Sequence, residues 1–512
     1  KYYHPNVAKG DFNMDYELFR ILPKVLSAET KKTRDDILVA WINGLGSFTE
    51  GKEPKLDPTD IKLMPDVEWI KTSNFSNELS ALLIKIKTAE RPSDHYYIDF
   101  YPGVGNPEFK NENSYSSMKY PDAGFRLLAI YRYWNMIQYF FPYKNLIEED
   151  WKNVLAEFIP KFVNATNETD YTLAALEIIG RIHDTHANIY GDNKALNDYL
   201  GINYSAVEVT FIENKAVVTG YYNEPFGKAT GLEVGDIITS VNKKTVDDIV
   251  NEKLKYTPAS NYPTALRNIA RNLLRSNDST INIEYLRNEK KENKNIKTFS
   301  KNEINLYSKI QSKDTCFKFI NNDIAYINHG ALKTKYLSKI AKEMENTKGL
   351  IIDDRNYPSD FPIYDLSNYL MPESTPYVKF TSGSKETPGL FTFGKSINVG
   401  KKNKSYYKGK VIILVNEISQ SSAEFHAMAY RVHPNATVIG STTAGADGNV
   451  SKLNIPGGIS SMISGIGVYY PDGKETQRIG IVPNIEVKPT INSIKAGKDE
   501  LMEKAIEIIN KP

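Results

Sequence analysis

Residues 410–425, with the sequence KVIILVNEISQSSAEF, constrain the fold of this chain more than any other stretch. Residues 411–415 are all apolar and mostly β-branched, without the alternation of a strand that has one face in water. Such a run is typical of a strand covered on both faces, as in a parallel sheet. Ser421 follows a short polar turn, and the residues after it suit a helix. The stretch therefore predicts a strand, a turn and a helix that opens on a serine.

Two interpretations of Ser421 follow from its place at the start of a helix. Ser421 and Glu424 fit the S-x-x-E capping box, in which each side chain satisfies a backbone donor of the other. A serine at this place can also act as a nucleophile, because the free N–H groups and the positive dipole end favour an oxyanion. Most serines before helices are caps, so only other parts of the chain can favour the second interpretation.

Length, charge and cysteine content restrict the class of protein. A chain of 512 residues is too long for one core, and we expect about three or four domains. The net charge of +2 comes without a dense basic stripe, which argues against binding to nucleic acid or to a membrane surface. The single cysteine, Cys316, excludes an internal disulfide and a cysteine-based zinc site. No apolar run is long enough to span a bilayer.

The order of patterns along the chain predicts an α/β multidomain protein. A mixed helical N-terminal domain is expected at residues 1–115, in which residues 79–86 suit a strand. The following regions are a helical region, a small β domain, an α/β core with a largely parallel sheet and a C-terminal helix, at residues 116–195, 196–305, 306–492 and 493–512. Ligands of parallel sheets bind at the carboxyl ends of the strands, which is where Ser421 falls.

The histidines supply the candidate base for Ser421. His426 lies five residues further along the same helix and points away from its first turn, so it is a poor candidate. His186 ends the motif Asp184-Thr185-His186, which alone is more often a turn or a cap. His183 and His186 have i, i+3 spacing but no third ligand set, so we expect neither a metal nor another cofactor.

Two parts of the chain resemble known families. Residues 231–242, GLEVGDIITSVN, resemble a conserved segment of PDZ domains. The last region resembles the tail-specific, or carboxyl-terminal processing, serine proteases and their tricorn-like relatives. The matching segments are 350–356 (LIIDDRN), 416–424 (NEISQSSAE), 438–445 (VIGSTTAG) and 480–485 (GIVPNI). The resemblance covers roughly residues 120–490 and implies a crotonase-like or ClpP-like core after a PDZ-like domain.

The resemblance also implies catalytic roles. Ser421 matches the family's nucleophile. In the processing-protease branch the base is a lysine of a T-x-G-K-G segment, and here that position holds Ala446, which rules out a Ser–Lys dyad there. The tricorn-like branch uses a histidine, for which His186 is the matching candidate. Glu475 or Gln477 would orient this histidine.

Backbone groups complete the implied site. The oxyanion hole would combine the N–H of Ser422 with one from the loop after residues 353–356, such as that of Ser359. This loop has the sequence YPSD where the family often has a glycine pair. In the PDZ-like domain, amides of the segment Leu200-Gly201-Ile202 would hold a peptide carboxylate.

The expected function is that of a serine peptidase, with the C-terminal segment of a peptide or protein as its partner. A catalytically inactive or weak peptide-binding protein on the same fold is the alternative, because the lysine and the glycine pair are missing. In a third interpretation Ser421 is only a cap and the pocket binds a non-peptide ligand. By resemblance we expect a cell-envelope, periplasmic or secreted protein, with its leader removed and a lipid anchor as one form of attachment.

Overall fold

The structure, a computed structural model, describes residues 1–306 and 315–511. Residues 307–314, at the start of the predicted core domain, and residue 512 lie outside this description. The N-terminal region contains five helices and three short strands among these residues: α1 (Pro5–Lys9), α2 (Met14–Leu26), α3 (Lys31–Gly44), β1 (Ile61–Leu63), α4 (Trp69–Thr72), α5 (Asn77–Thr88), β2 (Ile98–Phe100) and β3 (Pro107–Phe109).

The predicted strand at residues 79–86 is wrong, because these residues lie in α5. Ser76 caps this helix, since its side chain accepts a hydrogen bond from Leu79 N. The buried side chains of Leu79 and Ile86 are seven residues apart and lie on one face of the helix. The helical period, rather than the length of the apolar run, therefore determines the structure here.

The helical region that follows forms a core of its own. Its helices are α6 (Ala123–Phe140), α7 (Trp151–Val163), α8 (Glu168–Gly180) and α9 (Lys194–Leu200), with a short 3-10 helix at Lys144–Leu146. Apolar side chains of α6, α7 and α8 pack against a distant β-hairpin that includes Ile459 and Ile463. This packing holds the end of α8, and the Asp-Thr-His motif after it, against the C-terminal half of the chain.

The small β domain is an antiparallel sheet with three helices. Its elements are β4 (Asn203–Ser205), β5 (Val207–Ile212), β6 (Lys215–Tyr221), α10 (Glu224–Ala229), β7 (Ile237–Val241), β8 (Lys244–Thr245), α11 (Val246–Leu254), α12 (Tyr262–Leu273), β9 (Arg275–Ser276), β10 (Thr280–Arg287) and β11 (Lys290–Ser300). The main strand order is β5-β6-β7-β10-β11-β4-β9, so β5 is an edge strand. The PDZ-like identity of this domain stays a prediction.

The core domain contains the predicted strand–turn–helix. Its six-stranded sheet has the order β12 (Phe317–Asn321), β13 (Ile324–Asn328), β14 (Gly349–Asp353), β18 (Lys410–Val415), β19 (Ala436–Gly440) and β23 (Ile485–Glu486). All neighbours from β13 to β23 pair in parallel, and β12 pairs antiparallel with β13. The other described strand pairs of the chain are antiparallel, so its sheets taken together are mostly antiparallel. The crotonase-like or ClpP-like assignment of the core stays a prediction.

The unbroken apolar run of β18 has a direct structural cause. Val411, Ile413 and Val415 belong to the core on one face of the sheet. Ile412 and Leu414 belong to the core on the other face, together with the C-terminal helix. Because successive side chains of a strand point to opposite faces, both faces of β18 are covered. The strand ends directly before the turn that leads to Ser421.

Helices and a second sheet complete the core domain. The helices are α13 (Leu337–Met344), α14 (Ile363–Leu370), α15 (Ser422–Tyr430), α16 (Ile491–Lys495) and α17 (Glu500–Asn510), with a 3-10 helix at Thr334–Tyr336. The remaining strands are β15 (Thr375–Gly383), β16 (Phe391–Phe393), β17 (Ile397–Val399), β20 (Val450–Ile455), β21 (Ile459–Ser464) and β22 (Gly467–Tyr469). The N-terminal β1 pairs with β16, so the predicted first domain shares a sheet with the core. Within the described residues no helix is long and apolar enough to cross a membrane.

Candidate functional site

Ser421 has a backbone conformation that side-chain-bearing residues seldom adopt. Its φ is 56° and its ψ is −115°. A non-glycine residue in such a region costs roughly 1–3 kcal/mol and persists only where the surroundings hold it. Ser421 is half-buried, and its hydroxyl is not among the buried atoms that lack a partner. The serine is therefore held in a strained backbone conformation at the start of α15.

Glu424 holds the backbone of Ser421 in place. Its Oε2 accepts a hydrogen bond from Ser421 N, at 3.0 Å, and the carbonyl of Ala446 accepts from the same N–H, also at 3.0 Å. Glu424 also accepts from Thr443 Oγ1, Gly445 N and Ala446 N. Burial raises the pKa of the Glu424 carboxyl, and these donors oppose the rise. Both halves of the predicted capping box are present: Glu424 accepts from Ser421 N, and the Ser421 side chain faces the backbone N–H of Glu424.

The loop at residues 443–448 lies directly against Ser421. Ala446, at the position of the missing lysine, is buried and supplies the carbonyl that accepts from Ser421 N. Asp447 follows it, and its buried Oδ2 has no hydrogen-bond partner among the described residues. Burial, together with the nearby charge of Glu424, raises the pKa of the Asp447 carboxyl well above its ordinary value. Ala446 thus contributes a backbone carbonyl at the place where a Ser–Lys dyad would need an amine.

The Asp-Thr-His motif reaches the same loop from the other side. Thr185 Oγ1 donates to the carbonyl of Ala444 at 3.0 Å and also contacts Ser260 Oγ. Asp184 and His186, on either side of it, are buried. Loop 443–446 is thus bonded both to Thr185 and to Ser421, which brings the histidine-bearing segment and the nucleophile-bearing turn to one place.

His186 is oriented by a serine and an aspartate. Ser464 Oγ donates to Asp184 Oδ1 at 2.9 Å, and Ser464 Oγ also lies 2.9 Å from His186 Nδ1. Because the single hydroxyl proton of Ser464 is directed to the carboxylate, Nδ1 must carry a proton and donate it to Ser464 Oγ. The other nitrogen, Nε2, is then the basic one. Burial lowers the pKa of His186, so the ring is neutral at neutral pH although Asp184 opposes this shift.

Nε2 of His186 is free to accept a proton. Among the described residues none bonds to it, and it is not among the buried atoms without a partner, so it keeps contact with solvent. No hydrogen bond joins it to Ser421 Oγ in this structure. In enzymes without substrate such bonds are often long and form only in the substrate complex. The two side chains are therefore neighbours across loop 443–446, but they are not a formed pair.

The two candidates for orienting His186 lie in different surroundings. Gln477 is buried, and its Nε2 donates to Asp184 Oδ1 at 3.3 Å. Glu475 instead forms an ion pair with Lys62 of the N-terminal region. Gln477 thus takes part in the network around Asp184, whereas Glu475 does not. Neither forms a hydrogen bond with His186, whose Nδ1 pairs with Ser464 Oγ.

The two predicted oxyanion-hole donors differ in whether their backbone N–H groups already have an acceptor. Ser422 N belongs to the first residue of α15, and no described group accepts a hydrogen bond from it, so it is available. The N–H of Ser359 donates to the carbonyl of His329 at 3.1 Å and is therefore occupied. Its hydroxyl donates to the carbonyl of Leu332. The N–H of Ser359 thus already has an acceptor, whereas that of Ser422 has none among the described residues; the oxyanion role of each stays a prediction.

The segment Leu200-Gly201-Ile202 does not form a set of free amides. Ile202 N donates to Asn277 Oδ1 at 3.2 Å, and the carbonyl of Gly201 accepts from Arg275 Nε at 2.7 Å. This segment therefore joins α9 to the small β domain in the present structure, and its predicted role in carboxylate binding stays a prediction.

Helix α12 of the small β domain contacts the turn before Ser421. Arg267 donates to the carbonyl of Glu417 at 2.8 Å and to Gln420 Oε1 at 3.1 Å. Burial lowers the pKa of Arg267 to about 10. Asn261, which caps α12, donates to the carbonyl of Thr443 at 2.9 Å. One helix thus braces both the turn and the loop that surround Ser421.

Ser464 and Arg267 are site residues that the sequence prediction missed. Asp184 was visible only as part of the Asp-Thr-His motif. Ser464 stands 278 residues from His186, in a stretch with no motif, and Arg267 is one of many basic residues. Within the described part of the chain no group of three or more His, Cys, Asp or Glu side chains could hold a metal ion.

Comparisons with known proteins support a peptidase-like core. Residues 323–487 match the model of Peptidase family S41. An uncharacterized protein of Chlamydia muridarum (strain MoPn / Nigg) is 30% identical over 107 residues, which cover 20% of this chain and 18% of that protein. The chain thus aligns with less than a fifth of the length of this curated relative.

Solved structures show a similar fold over a longer span. Mature CPAF in complex with lactacystin has 14% identity and a TM-score of 0.58, and the match covers 76% of this chain and 98% of CPAF. Mature CPAF alone gives 14% identity, a TM-score of 0.57 and coverage of 76% and 96%. Residues 323–487 are therefore similar to the domain of Peptidase family S41, within a fold similar to that of mature CPAF.

Proposed function

We propose that this protein is a serine peptidase in which Ser421 attacks a peptide carbonyl and His186 acts as the base. The observation that carries the proposal is the conformation of Ser421: a serine with a strained backbone at the N-terminus of α15, beside the free N–H of Ser422. The Peptidase family S41 match over residues 323–487 includes this segment. A serine that only caps its helix does not need this strain, since Ser76 caps α5 in an ordinary extended conformation.

The chemical steps follow from the free atoms of the site. His186 Nε2 takes the proton of Ser421 Oγ as the oxygen attacks the carbonyl carbon, and the oxyanion that forms lies beside Ser422 N–H. His186 then returns the proton to the leaving amine, which yields an acyl-enzyme that water hydrolyses. Asp184 and Ser464 keep the proton on Nδ1 and so keep Nε2 basic.

The small β domain fits the recruitment of a peptide. Its edge strand β5 lies beside α12, and an extended peptide can add to such an edge by backbone hydrogen bonds. We include in the proposal that this domain is PDZ-like and binds peptide C-termini, and that the protein acts in the cell envelope, the periplasm or outside the cell. Arg267 lies on α12, beside the strand to which a peptide would add. It donates to the carbonyl of Glu417 and so connects this helix with the turn before Ser421.

A fluorophosphonate probe tests the nucleophile directly, because it reacts covalently with activated serines. We expect labelling of the wild type, none of Ser421→Ala, and strongly slowed labelling of His186→Ala. Ser422→Ala is the matched control, since it removes the adjacent hydroxyl but keeps the backbone N–H. Labelling that persists in Ser421→Ala would refute the assignment of the nucleophile.

A peptide-binding protein without catalysis is the second candidate function. It is favoured by the absence of a hydrogen bond between Ser421 and His186 among the described contacts. If folded wild-type protein binds peptides but is not labelled by the probe, this candidate replaces the first. Mass spectrometry of peptides incubated with the wild type and with Ser421→Ala gives an independent readout.

A further inference from the structure

A cavity lies between the helical region and the small β domain, away from the turn that carries Ser421. It is bounded by α8, α9, the C-terminal end of α11 and α12, and its volume is about 70 Å³. A space of this size holds several water molecules or a small organic group. Most of its wall is apolar, with Leu176, Leu196, Leu200 and Ile269 among the lining residues.

One charged side chain lines this cavity. Lys253, in the last turn of α11, is half-buried, and its ammonium forms no hydrogen bond or ion pair with any described residue. The acidic neighbour in sequence, Glu252, is exposed and is already paired with Lys244. A cation in such a place lacks the counter-charge that partly buried lysines normally have.

A second cation lies close to Lys253 and also lacks an acidic partner. Arg275 donates to the carbonyl of Gly201 and to the side-chain oxygens of Asn272 and Asn197, all of which are neutral. Asn272 itself lines the cavity. Burial, with the nearby charge of Arg275, lowers the pKa of Lys253 to about 8. Burial also lowers the pKa of Arg275.

The positive charge of this cavity is therefore uncompensated. An unpaired ammonium beside apolar walls and near a second cation destabilises the folded state, and an anion in the cavity that pairs with Lys253 would remove this cost. The carbonyl groups at the C-terminal end of α11 partly stabilise the Lys253 ammonium, yet the pKa of Lys253 remains lowered.

The walls indicate which kind of anion fits. A phosphate has no apolar group to set against the leucine and isoleucine side chains of this wall. A carboxylate can place its oxygens at the Lys253 ammonium and an apolar substituent against these side chains. Tyr199 and Tyr256, whose rings meet edge to face at 5.8 Å, add further apolar surface beside it.

We propose that this cavity binds a free carboxylate with a small apolar substituent, and that the Lys253 ammonium pairs with the carboxylate. The carboxylate can belong to a small branched-chain acid or to the C-terminus of a peptide. The site differs from the backbone amides of residues 200–202, because it uses the side-chain ammonium of Lys253 on α11. It does not rest on the proposed peptidase activity.

Isothermal titration calorimetry on the full chain carrying Ser421→Ala tests the site without interference from hydrolysis. Isobutyrate is compared with isobutyramide, which has the same shape without the charge, and with inorganic phosphate. A second arm compares a tripeptide that ends in Val as a free acid with its C-terminal amide. We expect binding of isobutyrate or of the free-acid peptide, or of both, but not of their amides. The arm that binds identifies the source of the carboxylate.

Substitutions then assign the binding to Lys253. Lys253→Met keeps the length of the side chain and removes the charge, and we expect it to weaken carboxylate binding about tenfold or more. Lys255→Met is the matched control, since Lys255 is exposed two residues away. Lys253→Gln serves as a second variant, and circular dichroism verifies that each variant is folded. Binding that is unchanged in both Lys253 variants, binding of phosphate alone, or no binding of either acid would overturn the proposal.

Discussion

Ser464 is the residue whose removal most sharply tests the arrangement around His186. In Ser464→Ala the imidazole Nδ1–H loses its acceptor, while Asp184 keeps hydrogen bonds from Gln477 and from the backbone of His186. The ring nitrogen lies 3.8 Å from Asp184 Oδ1. To pair directly with the carboxylate, the ring would have to move by about 1 Å, and a misplacement of this size can cost about 100-fold in rate.

The expected magnitude follows from the unpaired N–H. Leaving one buried donor without a partner costs about 1–3 kcal/mol, and each 1.4 kcal/mol corresponds to about tenfold in rate. We therefore expect the second-order rate constant of fluorophosphonate labelling to fall about 10- to 100-fold in Ser464→Ala. Ser464→Thr, which keeps the hydroxyl, should restore much of the rate.

Ser461→Ala is the matched control, because Ser461 is a fully buried serine on the same strand β21. It should label at close to the wild-type rate. Thermal unfolding of all variants separates a loss of activity from a loss of fold. If Ser464→Ala labels as fast as the wild type while Ser421→Ala does not label, the serine does not orient the base.

Two further perturbations have defined outcomes. Arg267→Met removes two hydrogen bonds between α12 and the turn before Ser421, so we expect labelling to slow by about tenfold while circular dichroism shows an intact fold. Burial lowers the pKa of His4 and His95 to about 4 and that of His426 to about 3. Because the native state binds these protons more weakly than the unfolded chain, the contribution of these rings to the free energy of unfolding should be nearly constant well above pH 6.5 and fall as the pH decreases toward 4. Each histidine contributes about 1–2 kcal/mol by pH 5. Urea denaturation at pH 7 and pH 5 measures this, and an unchanged midpoint would contradict the burial of these rings as neutral groups.

Local patterns predicted those parts of the fold that depend on local physics. The run at residues 411–415 was predicted as a strand covered on both faces, and the cores on its two sides explain why all five residues are apolar. The helix after Ser421 begins at Ser422, as its composition indicates. Residues 79–86 were misassigned because a short apolar run does not distinguish a strand from a half-buried helix.

The network around His186 could not be predicted in the same way. It depends on the packing of α6, α7 and α8 against the hairpin of β20 and β21, which brings Ser464 to Asp184 across 280 residues of chain. No local pattern marks a serine at the end of a strand as the acceptor for an imidazole. The same holds for Arg267, whose role arises only from the contact of α12 with the turn at residues 417–420.

The strain at Ser421 gives a last test of whether this serine is a cap or a nucleophile. Ser76 is an ordinary cap in the same chain, with φ −61°, ψ 154° and a side chain that accepts from Leu79 N. Ser421 instead has φ 56° and ψ −115°.

Since glycine adopts positive φ without strain, Ser421→Gly should stabilise the protein by about 1 kcal/mol and abolish labelling. Ser76→Gly removes an ordinary cap and should destabilise the protein by about a few tenths of a kcal/mol. The thermal midpoints of the two variants should therefore move in opposite directions. A loss of stability in Ser421→Gly as large as that in Ser76→Gly would mean that the backbone of Ser421 is not strained and that capping is the main role of this serine.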